Sequence, residues 1–322
     1  MVVKISDPVK VELELFEKEY ESQFQPNSDF LIPLLEYVNQ EKGKHIRPTL
    51  FFLVQGLIGK PNLKSIRIAV LLEMLHVATL IHDDVVDDSF FRRGRKTPNA
   101  LWGNKVAVLL GDYLLAKVLS LGVEAPWKDV LKIISRVVMD MGRGELRQVV
   151  IGTTAKQIDE KEYYRIIKDK TAALFQATCE LAGLIANGTQ KERARLNRLG
   201  EYFGMSFQIR DDILDLTGKS ELMGKPAGQD ICNGKITLPI ILALKHASEI
   251  EKQRFFKKLA SEKEIDTEWI FDFVGRKKGI QRAQAQSALF ADKAIAILST
   301  FGSSIYRESI EKLVKHDLVR VI

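Results

Sequence analysis

Apolar residues recur at steps of three and four along most of the chain, the period of helices that bury one face. Helices are therefore expected over residues 9–20 and 30–38. A third opens with Pro48 in its first turn, after the basic loop Gly43-Lys44-His45-Ile46-Arg47. Residues 63–88 are apolar on nearly every side, so the fourth helix is expected to be buried all round. Its polar exceptions, Glu73, His76, Thr79, Asp83 and Asp87, follow at steps of three, three, four and four and draw one stripe down it. Buried polar groups need partners or water, so this stripe is expected to line a cavity.

Thr97 and Pro98 start the next helix, running through Trp102 to about residue 121, and Pro126 introduces another, ending near residue 150 with Glu145 and Gln148 on it. Asp159 with Glu162, and Thr189 with Glu192, have capping-box spacing and place two further helix starts. The first of these helices carries Lys170 and Thr171; the second ends in Gln208, Asp211, Asp212 and Asp215. Between residues 217 and 234 the period lapses into a glycine-rich stretch with lysines, read as a mobile loop able to close over phosphate. Helical patterns resume over 236–244, 264–274, 283–298 and 304–321. No strand alternation persists and no Pro/Ser-rich linker divides the chain, so one all-α domain over residues 1–322 is the simplest architecture.

Composition changes this picture little. Lys+Arg number 48 against 42 Asp+Glu, and the resulting +6 is spread along the chain rather than gathered into a nucleic-acid-binding tail. Such a balance fits anionic small molecules or an anionic membrane surface, and no nucleic-acid partner is expected. Two cysteines, Cys179 and Cys232, point to neither a disulfide framework nor a cysteine metal site, and a reducing cytoplasm is the expected location. The N-terminal residues lack the apolar core of a signal peptide. The longest apolar stretch, 106–123, is broken by Asp112 and Lys117 and reads as too polar for a membrane span.

The chemistry gathers at residues 80–95, LIHDDVVDDSFFRRGR, where an apolar helix runs into carboxylates and then arginines. Asp83 and Asp87, four apart, share a helix face, and their oxygens could share a divalent metal held by few protein ligands. One such cluster is common on solvated helix ends. A second copy of the spacing, Asp211, Asp212 and Asp215, makes a repeated site the better reading.

Taken together, GKHIRP, HDDVVDDSFFRRG, Glu145-Leu146-Arg147-Gln148, Lys170-Thr171, FQIRDDILD and GKPAGQDICNGKITLP resemble the trans-isoprenyl diphosphate synthases, in that family's order from about residue 43 to 240. The resemblance implies an all-α, single-domain isoprenoid-synthase bundle around a deep central cavity, normally a homodimer. It implies that Asp83, Asp84 and Asp87 face Asp211, Asp212 and Asp215 across the cavity mouth and hold Mg²⁺, three ions per site once substrate is bound. Direct ligation is expected first from Asp83, Asp87 and Asp211. Arg92, Lys170 and Lys225, with Lys235 nearby, would hold an allylic diphosphate. Lys44, Arg47, His76 and Arg93 would hold the diphosphate of isopentenyl diphosphate. His45 stands where the family usually has Arg or Lys, and weaker or pH-dependent binding there is expected at most.

The chemistry explains these residue types. Breaking an allylic C–O bond to a carbocation requires stabilising the diphosphate as it leaves, which Mg²⁺ and Lys/Arg supply, and the π-bond of isopentenyl diphosphate then attacks. By the resemblance, the departing diphosphate takes the final proton, and oxygens of Thr171 and Gln208 favour the cation. The five and four positions before Asp83 are Ala78 and Thr79, where short-chain members carry bulky aromatics as a floor. With small residues there, a helix of roughly 25 Å leaves room for about six to nine isoprene units. A long-chain all-trans product follows, a candidate quinone side-chain precursor grown on farnesyl or geranylgeranyl diphosphate, with a peripheral membrane contact for its release. Val137, Val138 and Met141 are further floor candidates.

The rival readings are a shorter-chain synthase, a class I terpene cyclase, a metal phosphohydrolase, and a non-catalytic protein, either a regulatory subunit of a heteromeric prenyltransferase or a structural helical scaffold. DDILD and the retained homoallylic-site residues argue against the cyclase, the lack of a second histidine ligand pair against the hydrolase, and both intact acidic clusters against the regulatory subunit.

Overall fold

The apolar run around residue 75 forms a helix, Ile66–Val86, that is buried along most of its length, and the rest of the chain is laid around it. The computed structural model describes residues 4–25, 28–40, 43–61, 65–125, 128–153, 159–217, 228–261 and 266–319. In chain order its elements are α1 (Lys10–Ser22), α2 (Ile32–Asn39), α3 (Ile46–Ile58), α4 (Ile66–Val86), the strands β1 (Phe91–Arg92) and β2 (Arg95–Lys96), and α5 (Pro98–Trp102). There follow α6 (Asn104–Glu124), α7 (Asp129–Thr153), α8 (Glu160–Ile167), a π-helical turn (Lys168–Ala172), α9 (Ala173–Ile185) and α10 (Gln190–Thr217). The chain closes with α11 (Gln229–Cys232), α12 (Leu238–Lys245), α13 (Glu249–Ser261), α14 (Thr267–Arg276), α15 (Gly279–Leu298) and α16 (Ile305–Val319). The fold is all-α, a single helical bundle, as the apolar period requires.

Several local expectations change. The one helix expected over 97–121 is two, because Gly103 takes φ +81 and no L side chain sits there comfortably. Strands were not expected, yet β1 pairs antiparallel with β2 around Arg93 (φ 50) and Gly94 (φ 76). Two central residues with positive φ match the twist of a hairpin, and strands of two residues are too short to leave an alternation to read. Helix α13 was missed because its pattern is dominated by charge, with Phe255 as its buried anchor. Its signal was present: Ser248 N–H donates to Glu251 Oε2 at 2.8 Å and Glu251 N–H donates back to Ser248 Oγ at 3.4 Å, a capping box. The box at Thr189 forms as expected, with Thr189 N–H to Glu192 Oε2 at 2.8 Å and Glu192 N–H to Thr189 Oγ1 at 3.3 Å; Asp159 caps its helix by accepting Glu162 N–H at 2.7 Å, while the Glu162 carboxylate takes Arg147 and Arg165.

The main core joins α1, α3, α4, α6, α7, α9, α10, α15 and α16, with Phe16, Phe51, Phe52, Phe175 and Phe203 fully buried in it. A second cluster, around Tyr163, Ile209, Ile213 and Ile241, seats α8 and α12 on the functional end of α10. Helix α6 corrects the hydropathy reading: by length and composition it is apolar enough to cross a membrane, despite Asp112 and Lys117. Here Ala107, Leu110, Leu114, Val118 and Leu121 are buried in the bundle, while Val108, Leu109, Leu119 and Val123 are exposed on its outer side.

Candidate active site

The polar stripe of α4 does line a cavity. A pocket of about 390 Å³ is bounded by Glu73, His76, Thr79 and Asp83 of α4, by Lys44, His45 and Arg47 at the start of α3, by Arg92 and Arg93 of the hairpin, and by Lys170, Thr171, Gln208 and Asp211. A second, larger one of about 1030 Å³ adjoins it, reached by Asp87, Lys170, Thr171, Gln208, Asp212 and Lys235. The fifth member of the stripe, Asp87, thus faces the second cavity rather than the first.

The basic side gathers the residues that the loop and hairpin supply. Arg47 lies over the Phe175 ring at 4.7 Å; burial lowers its pKa, and the fields of Glu73 and Asp211 pull it back up. Burial, reinforced by Arg47, Arg92 and Arg93, holds the His76 imidazole well below its ordinary range, so it is neutral near pH 7. Lys44 and Arg93 are exposed at the rim. His45 does something different. It adopts φ 45, its ring packs edge-on against Phe16 at 5.2 Å and Tyr20 at 6.0 Å, and its Nδ1 lies 3.4 Å from Oε1 of buried Glu73. The residue in the family's basic position therefore ties the loop to α1 and α4.

The six aspartates that share one motif in sequence separate into distinct environments. Asp84 is buried and clamped by Arg92, whose Nε donates to Oδ1 and Oδ2 at 3.1 and 3.0 Å and whose Nη2 donates to Oδ1 at 2.9 Å. Asp212 is buried as well: it accepts from the Tyr163 hydroxyl at 2.5 Å and from Gln208 Nε2 at 2.8 Å. Asp215 takes the backbone N–H of Asp230 at 3.4 Å on a carboxylate oxygen. Asp84 and Asp212 border the cavities too, but with oxygens engaged by these partners; Asp83, Asp87 and Asp211 complete the acidic part of the cavity walls. Asp83 lies 4.0 Å from Lys170 Nζ, and Asp87 accepts from Lys235 Nζ at 2.5 Å. Burial pushes the Asp83 carboxyl up to about 6, with Glu145 and Asp87 adding to the rise and Lys170 and Arg92 opposing it. Burial works against the Lys170 ammonium, but Asp83, Glu145 and Asp87 outweigh it and hold that pKa above its ordinary value.

Lys170 and Thr171 sit on the π-helical turn, a wide turn of the kind often found at functional sites. Helix α7 can approach it closely because residue 144 is glycine: a Cβ there would fall 2.6 Å from the Lys170 backbone nitrogen. From α7, Glu145 forms an ion pair with Lys170. Thr171 Oγ1 donates to Gln208 Oε1 at 2.7 Å, which joins the turn to α10. Neither Tyr163 nor Glu145 was assigned a role from sequence. For Tyr163 no sequence signal separates it from core packing, whereas Glu145 could have been picked out as an acid on the apolar side of α7.

The proposed length-setting residues part company. Thr79 lines the first cavity, its Oγ1 donating to the His76 carbonyl at 2.8 Å, while Ala78 is fully buried in the apolar core and borders neither cavity. Met141 lines the first cavity, Val137 is buried and Val138 is exposed. Lys225 and the stretch 218–227 lie outside the described residues. Among the described residues no three Asp, Glu, His or Cys side chains are close enough together to hold a metal ion by themselves.

The polyprenyl synthetase family model matches this chain over residues 29–273. Heptaprenyl diphosphate synthase component 2 of Geobacillus stearothermophilus is 35% identical over 298 residues, which cover 91% of this chain and 90% of that protein. A polyprenyl synthase of Caulobacter crescentus, solved with calcium and isoprenyl diphosphate, superposes with a TM-score of 0.93 at 29% identity, covering 99% of this chain and 97% of that one. A geranylgeranyl pyrophosphate synthetase of Pyrococcus horikoshii Ot3 gives 0.88 at 29% identity over 98% of both chains. Aspartates of α4 and α10 lining one pocket with basic residues, on this fold and with this likeness, place the chain in the polyprenyl synthetase family, the trans-isoprenyl diphosphate synthases, as a prenyltransferase that makes polyprenyl diphosphate.

Proposed function

We propose that the chain adds isopentenyl diphosphate repeatedly to farnesyl or geranylgeranyl diphosphate, giving an all-trans product of roughly C30 to C45, counted from the length of α4. The observation that carries the long product is Thr79, a small residue on the cavity wall one turn below Asp83. The Geobacillus relative, a heptaprenyl synthase component, agrees with it. Quinone side chains would use such a product.

Asp83, Asp87 and Asp211 offer hard carboxylate oxygens, the donor chemistry of a Mg²⁺ site completed by phosphate oxygens and water. The raised pKa of Asp83 reflects burial and crowding of negative charge that a cation relieves. Bound there, Mg²⁺ would offset the charge of the leaving diphosphate. Lys170, oriented by Glu145, adds fixed positive charge on the allylic side, and Lys235 does so beside Asp87. Lys44, Arg47, Arg93 and neutral His76 hold the second diphosphate in the smaller cavity. The allylic C–O bond breaks with its electron pair leaving on the diphosphate oxygen. The π-electrons of isopentenyl diphosphate then form the new C–C bond, and the proton lost from the product goes to the released diphosphate.

Val108, Leu109, Leu119 and Val123 on α6 and Met139 and Leu146 on α7 are exposed large apolar side chains, and such exposure supports a homodimer. The enzyme would work in the cytoplasm and touch the membrane peripherally to release its apolar tail. A second reading, a geranylgeranyl-length product, is favoured by the modest first cavity, where Met141, Leu174 and Phe207 stand on the wall. Purified chain incubated with Mg²⁺, farnesyl diphosphate and isopentenyl diphosphate should release product of at least six isoprene units. Accumulation of geranylgeranyl diphosphate would establish the second reading, and turnover only with an added second protein would replace the homodimer by a heteromer.

A further inference from the structure

Four side chains form one unbroken line behind the allylic side of the cavity. Tyr163 O–H donates to Asp212 Oδ2 at 2.5 Å, Gln208 Nε2 donates to Asp212 Oδ1 at 2.8 Å, and Thr171 Oγ1 donates to Gln208 Oε1 at 2.7 Å. An amide can be turned over, so the direction of the last bond depends on what faces its other end. Here that end is decided. A carboxylate oxygen already facing Gln208 accepts only, and a flipped Gln208 would set its own oxygen against it. Gln208 must therefore give its N–H to Asp212 and keep its oxygen toward Thr171. The Thr171 hydroxyl then spends its single proton on Gln208. Its lone pairs are left for the cavity that it lines.

We propose that Asp212 and Tyr163 are positioning residues: they set the direction of this relay so that Thr171 shows lone pairs, and not its proton, to the carbon that becomes cationic. The inference rests on the prenyl transfer described above and reassigns Asp212 from metal holder to orienter. Tyr163 acts one step further back. By occupying Oδ2 it leaves Oδ1 for Gln208, and as a buried donor it demands an acceptor at that place. The bond from Gln208 Nε2 to Oδ1 sets this direction with Asp212 as the carboxylate; a proton on Oδ1 would instead be donated to Gln208 and reverse the relay.

This wiring makes an unusual forecast for a pair of substitutions. In Asp212→Asn, the Tyr163 hydroxyl needs an acceptor, so the new carbonyl oxygen turns to Tyr163 and the new NH₂ turns to Gln208. Gln208 then flips, offers its own NH₂ to Thr171, and pushes the threonine proton toward the cavity. In Tyr163→Phe/Asp212→Asn that demand is gone, and the asparagine can turn its oxygen back to Gln208. Damage to a merely structural bond would accumulate; damage to a direction is repaired.

The experiment measures kcat and the KM of both substrates for wild type, Tyr163→Phe, Asp212→Asn and the double variant, with Mg²⁺, farnesyl diphosphate and isopentenyl diphosphate. Asp212→Asn should lose at least tenfold in kcat with both KM values within about twofold, Tyr163→Phe less than about fivefold, and the double variant should regain most of the loss. A double variant as slow as Asp212→Asn, or slower, overturns the proposal. In parallel, ¹⁵N-glutamine labelling reads the Gln208 side-chain amide without substrate, assigned by its absence in Gln208→Glu. Its signal should shift in Asp212→Asn and move back toward wild type in the double variant; no such return also overturns the proposal. Should wild type turn over no prenyl substrate, the synthase reading falls on its own, while the amide signal still decides the direction of the relay.

Discussion

Asp83 and Asp84 are neighbours in the chain and opposites in the fold. Asp84 is buried with Arg92 across both oxygens, so Arg92→Ala would strand a buried carboxylate and should cost about 3 kcal/mol, read as a lower urea midpoint. Asp83 carries the opposite sign. Its ordinary pKa of 3.8 rises to about 6 on folding, so below the first value both states hold the proton and stability is unaffected. As pH climbs from there to about 6, the unfolded chain sheds its proton first, and folding is penalised by an amount that levels off above 6. About a quarter of the Asp83 side chain, 26%, faces the cavity, which keeps the penalty near 1–2 kcal/mol. Asp83→Asn should therefore stabilise the metal-free protein at pH 7.5 and leave it unchanged at pH 3.5. Equal midpoint shifts at both values would show that burial does not act through the charge.

At the scale of elements, the site depends on how near α7 can come to the π-helical turn. Gly144 permits that approach, and Gly144→Ala would drive a methyl carbon to within 2.6 Å of the Lys170 nitrogen. The turn must then shift, carrying Lys170 away from Asp83 and Glu145. We expect turnover to fall at least tenfold with a stability loss of about 1–3 kcal/mol, separable by measuring kcat well below the melting range. Unaltered kcat would mean that the wide turn is not what places Lys170. Helix caps at 159, 189 and 248 show which element boundaries are local information: each is closed by residues three apart. The hairpin and the break at Gly103 had weaker signals, because a two-residue strand has no period and one glycine has many uses.

For the whole molecule the open quantity is product length, which belongs to the cavity rather than to any one wall. Thr79 faces the first cavity and Ala78 faces the core, so the two small residues before Asp83 do not act as a pair. Thr79→Phe should shorten the product to about C20 from a farnesyl primer, whereas a bulky residue at 78 would chiefly overpack the bundle. Chromatography of the reaction products checks this, and an unchanged product length with Thr79→Phe would move the floor to α7 or α10, where Met141 and Phe207 stand.

The sequence by itself determined the all-α class, the acidic and basic clusters and the family, because helical period, caps and spacings of three and four are written within a few residues of one another. It could not sort the carboxylates. Asp84 finds Arg92 only eight residues away, but Asp212 meets Tyr163 across 49 and Asp87 meets Lys235 across 148. Which aspartate is clamped, which orients a glutamine and which faces the cavity was decided by tertiary structure alone. A motif fixes spacing along one helix; the partners that use up a carboxylate's lone pairs come from other helices.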